Sequence, residues 1–533
     1  MRDEPFRVRG VVEGFYGAPW SHAARLDMLA FLGDHGMNAY AYAPKDDAKH
    51  RAQWREPYDA SEMRRFGELA ARASSAGVRF GFSVSPGLDI DYEASADREV
   101  LLEKLLALAD IGVTWFLLLL DDIPQQPGLA PRQAHLATAV LDALRDVSAG
   151  VSLAVCPTEY VGTQSSSYLD SLGAKLPADV DIMWTGATVC SPAISVQDAR
   201  DRADALGGRP PLVWDNYPVN DGAMSAALHL GAYRGRDPEL AGVIAGVLCN
   251  PMNQAHASKA GLATAAAFFR DPTTYDADRA LPAAVAATDP GRPGPFATLV
   301  AACSDSPLQD PETTRLALLV DQIGDTAGGA DWPAPVRVTG EFLRAARELP
   351  DVYQPDRDAL ATEVAPWAVA ARLEANAGLA ALKLVQQLRP VAAIEGDRGR
   401  AVAPDAERAM EHAFGVLYSW QAARGNDRIV FGPRFATYPA VVQLSGGRPG
   451  VDVGLAVRTD ANVVDRLCRL ALALYEEWSH TPEAAVEVIV DGEPRPCDSD
   501  GRFDARGTAT TLRAGPYATH VDGPPPFRDR RLA

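Results

Sequence analysis

The chain has 533 residues, too many for one average domain, and its 47% hydrophobic content supplies a large core. Its formal net charge of -19, from 51 Lys and Arg against 70 Asp and Glu, argues against nonspecific binding to nucleic acid or an anionic membrane, and no run approaches the ~18 apolar residues of a membrane span. Six scattered cysteines form no closely spaced pair, which speaks against structural zinc and fits free thiols; with no apolar leader at the N-terminus, a cytoplasmic location is expected.

Between residue 8 and about residue 270, short apolar runs alternate with longer amphipathic stretches. The predicted strands are 8–12, 39–43, 78–84, 115–120, 151–155, 180–184, 211–214 and 243–248. Helix-like segments separate the earlier ones, at 21–34, 61–76, 98–109 and 131–145. Ser21 and Ser61 stand at N-cap positions, Glu62 lies in a first turn, and Gly77 and Gly112 sit just past helix ends. Eight repeats of strand and helix within roughly 250 residues are the arithmetic of an α/β fold, the (β/α)8 TIM barrel. A doubly wound open sheet normally stops nearer five to seven strands. The GFYG after the first strand is too short and too aromatic for a dinucleotide fingerprint.

The fourth strand carries the strongest local signal. In FLLLLDDIP (116–124) an apolar run ends in two adjacent carboxylates, Asp121 and Asp122, at the strand edge where such barrels keep their chemistry. Neighbouring acids in or near apolar surroundings cannot both ionise without cost, so their pKa values are expected to separate, which suits general acid/base work. Polar residues fall at the ends of the other strands too: Glu13, then Lys45, Asp46 and Asp47, then Ser85. They are followed by Glu159 and Tyr160, Trp184 and Thr185, then Asp215, Asn216, Asn220 and Asp221, and last Asn250 and Asn253. All are expected around one mouth. Aromatic faces, amides and carboxylates with a single lysine suit a neutral hydroxylated substrate better than a phosphate. The aspartates are also possible hard ligands for a metal, but no H-x-H or H-E-x-x-H accompanies them. Two adjacent carboxylates are awkward for the ordinary retaining glycosidase, whose pair stands about 5 Å apart on opposite sides of the sugar. They suit a substrate-assisted route in which a 2-acetamido carbonyl is the nucleophile.

Several longer blocks carry a family resemblance. GVVEGFYGAPWS (10–21), MNAYAYAPKDDAKHRAQWREPY (37–58), LLLLDDIP, CPTEYVGT (156–163), DIMWTG (181–186), WDNYPVND (214–221) and LCNPMNQAHASKA (248–260) occur in order and resemble the family 84 glycoside hydrolases. These are β-N-acetylglucosaminidases that remove O-linked N-acetylglucosamine from proteins. The resemblance covers roughly residues 7 to 272 and implies a retaining, substrate-assisted mechanism through an oxazoline, with no metal or organic cofactor. It implies that Asp121 orients and polarises the acetamido group and that Asp122 is the general acid and then the base. Tyr160 would bond near the acetamido oxygen, and Trp184 or Trp214 would wall the N-acetyl pocket. Lys45, Asn216, Asp221 and Asn250 would hold ring hydroxyls, with main chain near Gly14 helping; Asn250 is preferred to Asn253. The implied partner is a terminal β-linked N-acetylglucosamine on protein, peptide or small glycoside, and a homodimer is in keeping with the family. The alternatives are a non-catalytic N-acetylglucosamine-binding module and a hyaluronan- or other hexosaminide-degrading enzyme, although hyaluronan is a polyanion poorly matched to an acidic chain.

The expected catalytic barrel occupies residues 5–280, and a Pro/Gly-rich linker follows at 281–294. A helical domain is expected at 295–425, with long apolar spacing over 367–388 and 401–422. A small mixed domain is expected at 429–533, with strands near 451–457 and 486–490 and one helix near 463–478.

Overall fold

In the computed structural model, eight short strands pair side by side and all run parallel. They are β1 (Val8–Glu13), β2 (Ala39–Tyr42), β3 (Arg79–Val84), β4 (Trp115–Leu119), β5 (Ser152–Cys156), β6 (Asp181–Trp184), β7 (Leu212–Asp215) and β8 (Gly246–Cys249). β1 pairs with β8 as well as with β2, which closes the barrel in sequence order. The structure describes residues 5–148, 150–308, 323 and 333–392, together with six short strands between 429 and 522.

Two apolar clusters line the two faces of this wall, because successive strand residues point to opposite sides. Val8 and Val12, Ala39 and Ala41, Trp115, Leu117 and Leu119, Met183, Trp214 and Leu248 fill the interior. Tyr40, Phe82, Phe116, Leu118, Val155, Trp184, Val213 and Val247 face the surrounding helices. Alanine and glycine on β2 and β3 make room for the interior tryptophans: a Cβ on Gly81 would lie 2.4 Å from the Trp115 ring.

The helices form where the sequence caps them. α1 (His22–Asp34) starts at Ser21, whose hydroxyl accepts from the Ala24 amide at 3.1 Å. α2 (Ala60–Ser75) starts two residues earlier than expected. Its cap is Asp59 in place of Ser61, because Asp59 accepts from the Ser61 and Glu62 amides while Glu62 returns a bond to the Asp59 amide. α3 (Ser95–Asp110), α4 (Leu129–Val147), α5 (Ser167–Lys175), α6 (Val196–Ala205) and α7 (Ala255–Arg270) complete the outer ring.

The expected linker at 281–294 is mostly helical. α8 (Ala277–Thr288) is capped by Asp276 and runs through Pro282, burying Ala284 and Val285; α9 (Pro293–Ala302) follows after a short turn. Alanine-rich sequence with a capping aspartate outweighs one proline here. These helices and Asp358–Val364 belong to the same compact unit as the barrel.

The second unit contains the helix Pro333–Val352 and most of the helix Ala359–Ala392, which covers the expected apolar stretch at 367–388. The two helices approach closely, since a Cβ on Gly378 would lie 2.8 Å from Leu343. Ile429–Phe431 pairs antiparallel with Leu455–Val457. Glu493–Arg495, Glu487–Val490, Ala509–Ala514 and Tyr517–Asp522 form a four-stranded antiparallel sheet in that order. The expected helices at 401–422 and 463–478 lie outside the described residues.

A buried ion pair braces the end of β7. Asp215 points to the helix side, where Arg236 donates from Nε at 2.8 Å and from Nη2 at 2.5 Å, and the Tyr233 hydroxyl donates at 2.5 Å. Asp215→Ala would strand the buried guanidinium, and the expected loss is about 3–5 kcal/mol of unfolding free energy. Urea unfolding of the full chain, read at the barrel transition, measures it.

Candidate active site

The interior parity of seven of the strands, continued to the last residue or just past it, lays out the floor of one cavity; Ser85 after β3, expected at the mouth, does not line it. Val12 leads to Gly14, Ala43 to Lys45, Leu119 to Asp121, Ala154 to Cys156, Met183 to Thr185, Trp214 to Asn216, and Leu248 to Asn250. All of these residues except the wall positions Val12, Ala43, Leu119, Ala154, Met183 and Leu248 line the cavity at the C-terminal end of the barrel, with Tyr16, Asp122, Tyr160, Val189, Cys190, Val219 and Asp221 around them. Nine of the ten residues singled out in the sequence are therefore brought together.

The exception is Trp184. It stands one residue after the inward Met183, so it faces the helices and is fully buried there, donating from Nε1 to the Gly162 carbonyl at 2.9 Å. Trp214, inward on β7, is the tryptophan that walls the cavity. The same parity removes other strand-end residues from the mouth. Glu13 is buried beneath it, paired with Arg25 and Tyr40, and Asp215 is paired with Arg236. Asn253 donates to the Tyr16 carbonyl and holds the β1 loop, which leaves Asn250 as the cavity residue.

Asp122 breaks the alternation. As the residue after inward Asp121 it would face away, but its φ of 55° places it in the left-handed region and returns its carboxylate to the cavity. That conformation is uncommon outside glycine, better tolerated by Asp than by most residues, and costs on the order of 1 kcal/mol.

The two carboxylates have unlike surroundings. Asp121 is buried and ion-paired with the buried ammonium of Lys45 through Oδ2. Its Oδ1 is also buried, and no described residue donates to it. An orphaned carboxylate oxygen of this kind asks for a donor. Asp122 is exposed, with the Tyr16 hydroxyl donating to Oδ2 at 2.6 Å and the Tyr160 hydroxyl donating to Oδ1 at 2.8 Å. Partial burial pushes Asp122 upward, but the Tyr16 bond, Lys45, the Tyr160 bond and Arg51 together outweigh it and hold the carboxyl below its usual range. Asp221 is moved the other way, chiefly by burial and in part by Asp122, although it accepts from the Tyr16 amide at 2.7 Å.

The amide side of the cavity is a fixed lattice. Asn216 Oδ1 accepts from Trp214 Nε1 at 3.0 Å and from Asn250 Nδ2 at 2.9 Å, while its own Nδ2 donates to the Val189 carbonyl at 2.7 Å. Asn250 Oδ1 accepts from the Gly14 amide at 3.1 Å. Each primary amide has two N–H donors, and these bonds use one of each. Among the described residues, no three His, Cys, Asp or Glu side chains are grouped to hold a metal ion. The aspartates weighed as ligands are engaged by protein donors; Asp47, for example, accepts from the hydroxyls of Tyr42 and Tyr58.

A family model for β-N-acetylglucosaminidases matches residues 9–299, more than half of the chain and the whole of this site. The chain belongs to that family. The protein O-GlcNAcases of Rattus norvegicus and Mus musculus are each 34% identical to it over 273 residues, which is 49% of this chain and only 30% of theirs. Among solved structures, a variant of the O-GlcNAc hydrolase of Thermobaculum terrenum superposes with a TM-score of 0.73 at 27% identity, over 90% of this chain and 98% of that one. The family expected from the sequence blocks is thus the family found.

Thr185, expected at the mouth, lines the cavity, and Tyr16, Cys156, Val189, Cys190 and Val219 line it without having been singled out. Strand parity was a sufficient signal for Cys156; Tyr16, on a loop, had none beyond its place in GFYG. Gly14 admits the Trp214 ring, since a Cβ there would lie 2.1 Å from Cζ2. Gly14→Ala is therefore expected to displace Trp214 and weaken binding of N-acetylglucosamine by about tenfold or more, read by calorimetry.

Proposed function

We propose that this chain is a retaining exo-β-N-acetylglucosaminidase working by substrate-assisted catalysis, with O-linked N-acetylglucosamine on protein among its substrates. The observation that carries the reading is the unequal treatment of two adjacent carboxylates in one cavity. Asp121, buried on Lys45 with a free acceptor oxygen, is suited to take the acetamido N–H of a bound sugar. This bond makes the acetamido carbonyl oxygen more nucleophilic and aims it at the anomeric carbon. Asp122, exposed at the rim, is suited to protonate the departing glycosidic oxygen. The carbonyl oxygen–carbon bond forms as the glycosidic bond breaks, giving an oxazoline. Asp122, now a carboxylate, then takes a proton from the water that opens the oxazoline with retention.

A general acid has to carry a proton, and Asp122 with both phenols on it is held below the usual carboxylate range. Tyr160 resolves this in the proposed cycle. When its hydroxyl turns from Asp122 to the acetamido oxygen, Asp122 loses a stabilising donor, and the aglycone displaces water from it. Both changes favour the protonated form. Trp214 walls the acetamido side, while Asn216, Asn250 and Asp221 face the ring hydroxyls. The rodent relatives and the Thermobaculum terrenum protein, named for O-GlcNAc hydrolysis, support the substrate class. No step calls on a metal.

The full-length chain is expected to cleave an aryl N-acetyl-β-glucosaminide in the presence of chelator. Asp122→Asn is expected to reduce cleavage of a poorly acidic leaving group by about 10²–10⁴-fold and to spare an acidic phenol, which leaves without protonation. Asp121→Asn is expected to be severe with both, because ring closure is needed whatever departs. Equal leaving-group dependence in the two variants would contradict the assignment.

A further inference from the structure

The turn after β2, KDDAKHR (45–51), is fastened at nearly every residue. Lys45 bonds Asp121, Asp46 accepts from the Gly17 amide at 3.0 Å, and Asp47 holds two tyrosine hydroxyls. His50 is buried against Ser83 at 2.9 Å. At the end of this turn Arg51, 8% exposed, donates from Nη1 to the Tyr16 hydroxyl, and its guanidinium lies 5.4 Å from the centre of the Tyr16 ring. Tyr16 in turn donates to Asp122 Oδ2 at 2.6 Å. A buried cation thus reaches the exposed carboxylate through one phenol, without itself lining the cavity.

Tyr16 is well placed to be a fixed link. Its amide donates to Asp221, its carbonyl accepts from Asn253, and the next residue is Gly17 at φ 105°. Tyr160, on the opposite oxygen of Asp122, has no comparable guanidinium bond among the described residues. Its hydroxyl donates to Asp122 alone. The two phenols on Asp122 are therefore unequal, one anchored to a cation and one free to turn.

We propose that Arg51 is a positioning residue for proton transfer: through the Tyr16 hydroxyl it pins Oδ2 of Asp122, so that Oδ1 is the oxygen that gives up Tyr160 and delivers the proton to the glycosidic oxygen. This rests on the reading of Asp122 as the general acid. Holding one oxygen of a carboxylate directs the other, and the cation behind the phenol sets how strongly the carboxylate is held. The other charged or titratable groups facing Asp122 are Asp121 beside it, Lys45 from the same turn as Arg51, Tyr160 and Cys156 from β5 and its loop, and Asp221 after β7. The direction of the Asp122 shift, downward with Tyr16 and Arg51 among its causes, agrees with the tether.

The test is the pH profile of kcat/KM for two aryl N-acetyl-β-glucosaminides, one with an acidic phenol and one with a poorly acidic phenol. The alkaline limb belongs to the coupled carboxylates and marks loss of the catalytic proton. Arg51→Met removes the cation and the bond, so the limb is expected to move to higher pH by about half a unit or more. With the poorly acidic phenol, kcat is expected to fall about tenfold. With the acidic phenol it is expected to fall much less, and KM is expected to stay near the wild-type value for both. Tyr16→Phe removes the phenol itself and is expected to move the limb the same way; Arg51→Gln, which also removes the charge, takes the place of Arg51→Met if that variant fails to fold. Arg51→Lys keeps the charge without the planar fork, and is expected to leave the limb closer to wild type while kcat still falls. A wild-type limb in the charge-removing Arg51 variant, whatever Tyr16→Phe does, or equal losses on the two substrates, would overturn the tether. A wild-type chain that cleaves neither glycoside would overturn the functional reading, and the tether with it.

Discussion

Every second side chain of a β-strand points the same way, and in a closed barrel one of the two ways is inward. Nearly all the chemistry of this cavity follows from that constraint. The inward series of small and apolar residues that packs the lower barrel becomes, at or just beyond the ends of seven strands, the series Gly14, Lys45, Asp121, Cys156, Thr185, Asn216 and Asn250. The outward series ends in residues that hold the wall together instead: Glu13 on Arg25, Trp184 on the β5 loop, Asp215 on Arg236. Packing and chemistry are written in alternate letters of the same strands. A pair of adjacent carboxylates cannot both obey the alternation, so the chain departs from it at one residue. The left-handed turn at Asp122 is the cost of putting two neighbouring acids into one cavity.

That departure also separates the environments of the two acids. Asp121 remains on the strand axis, deep enough for Lys45 to meet it out of water, where a charge pair needs good geometry to repay its desolvation. Asp122 swings to the rim, where two phenols reach it and solvent or an aglycone does too. Identity of residue type therefore says little about role. The difference in surroundings between the two carboxylates, on which their proposed roles as fixed acceptor and proton carrier rest, comes from one backbone dihedral and from which loops close over each. The chain's charge of -19 has little bearing here, since the cavity sets its own field with Lys45, Arg51 and a ring of neutral donors.

Much of this was legible in the sequence because the barrel repeats itself. The eight apolar runs mark the eight strands to within one to three residues at their ends, and the strand-end blocks carry most of the site. What escaped did so for specific physical reasons. Trp184 and Glu13 were assigned to the mouth by position along the chain, when parity decides the face. Ser61 looked like a cap, but Asp59 makes two amide bonds and gains the reciprocal one from Glu62, so the helix starts earlier. The stretch 281–294 was read as a linker from its Pro and Gly, whereas an alanine run behind Asp276 continues as helix and packs on the barrel's last helix. Tyr16 lies on an irregular loop, where no period points to it, and only the fastening of that loop to Asp46, Asp221 and Asn253 brings its hydroxyl to Asp122.

The two origins of the lining residues, strand ends and loops, divide recognition in a way that bears on substrate range. Strand-end groups are fixed by the barrel: Asn216 and Asn250 are locked to each other, to Trp214 and to the Gly14 amide. In the proposed role a lattice of this kind would discriminate sharply, because a sugar lacking one hydroxyl or the acetamido group would leave a fixed polar partner unpaired. The outer rim is different. Val189 and Tyr16, both large and exposed, are carried on loops, with exposed Val161 on the loop that also bears Tyr160. Apolar rim residues offer contact area with little directional demand, so they penalise one aglycone over another only weakly. On the proposed reading, strict recognition of one terminal sugar and loose recognition of what it is attached to would arise from the same architecture, the first from strands and the second from the loops above them.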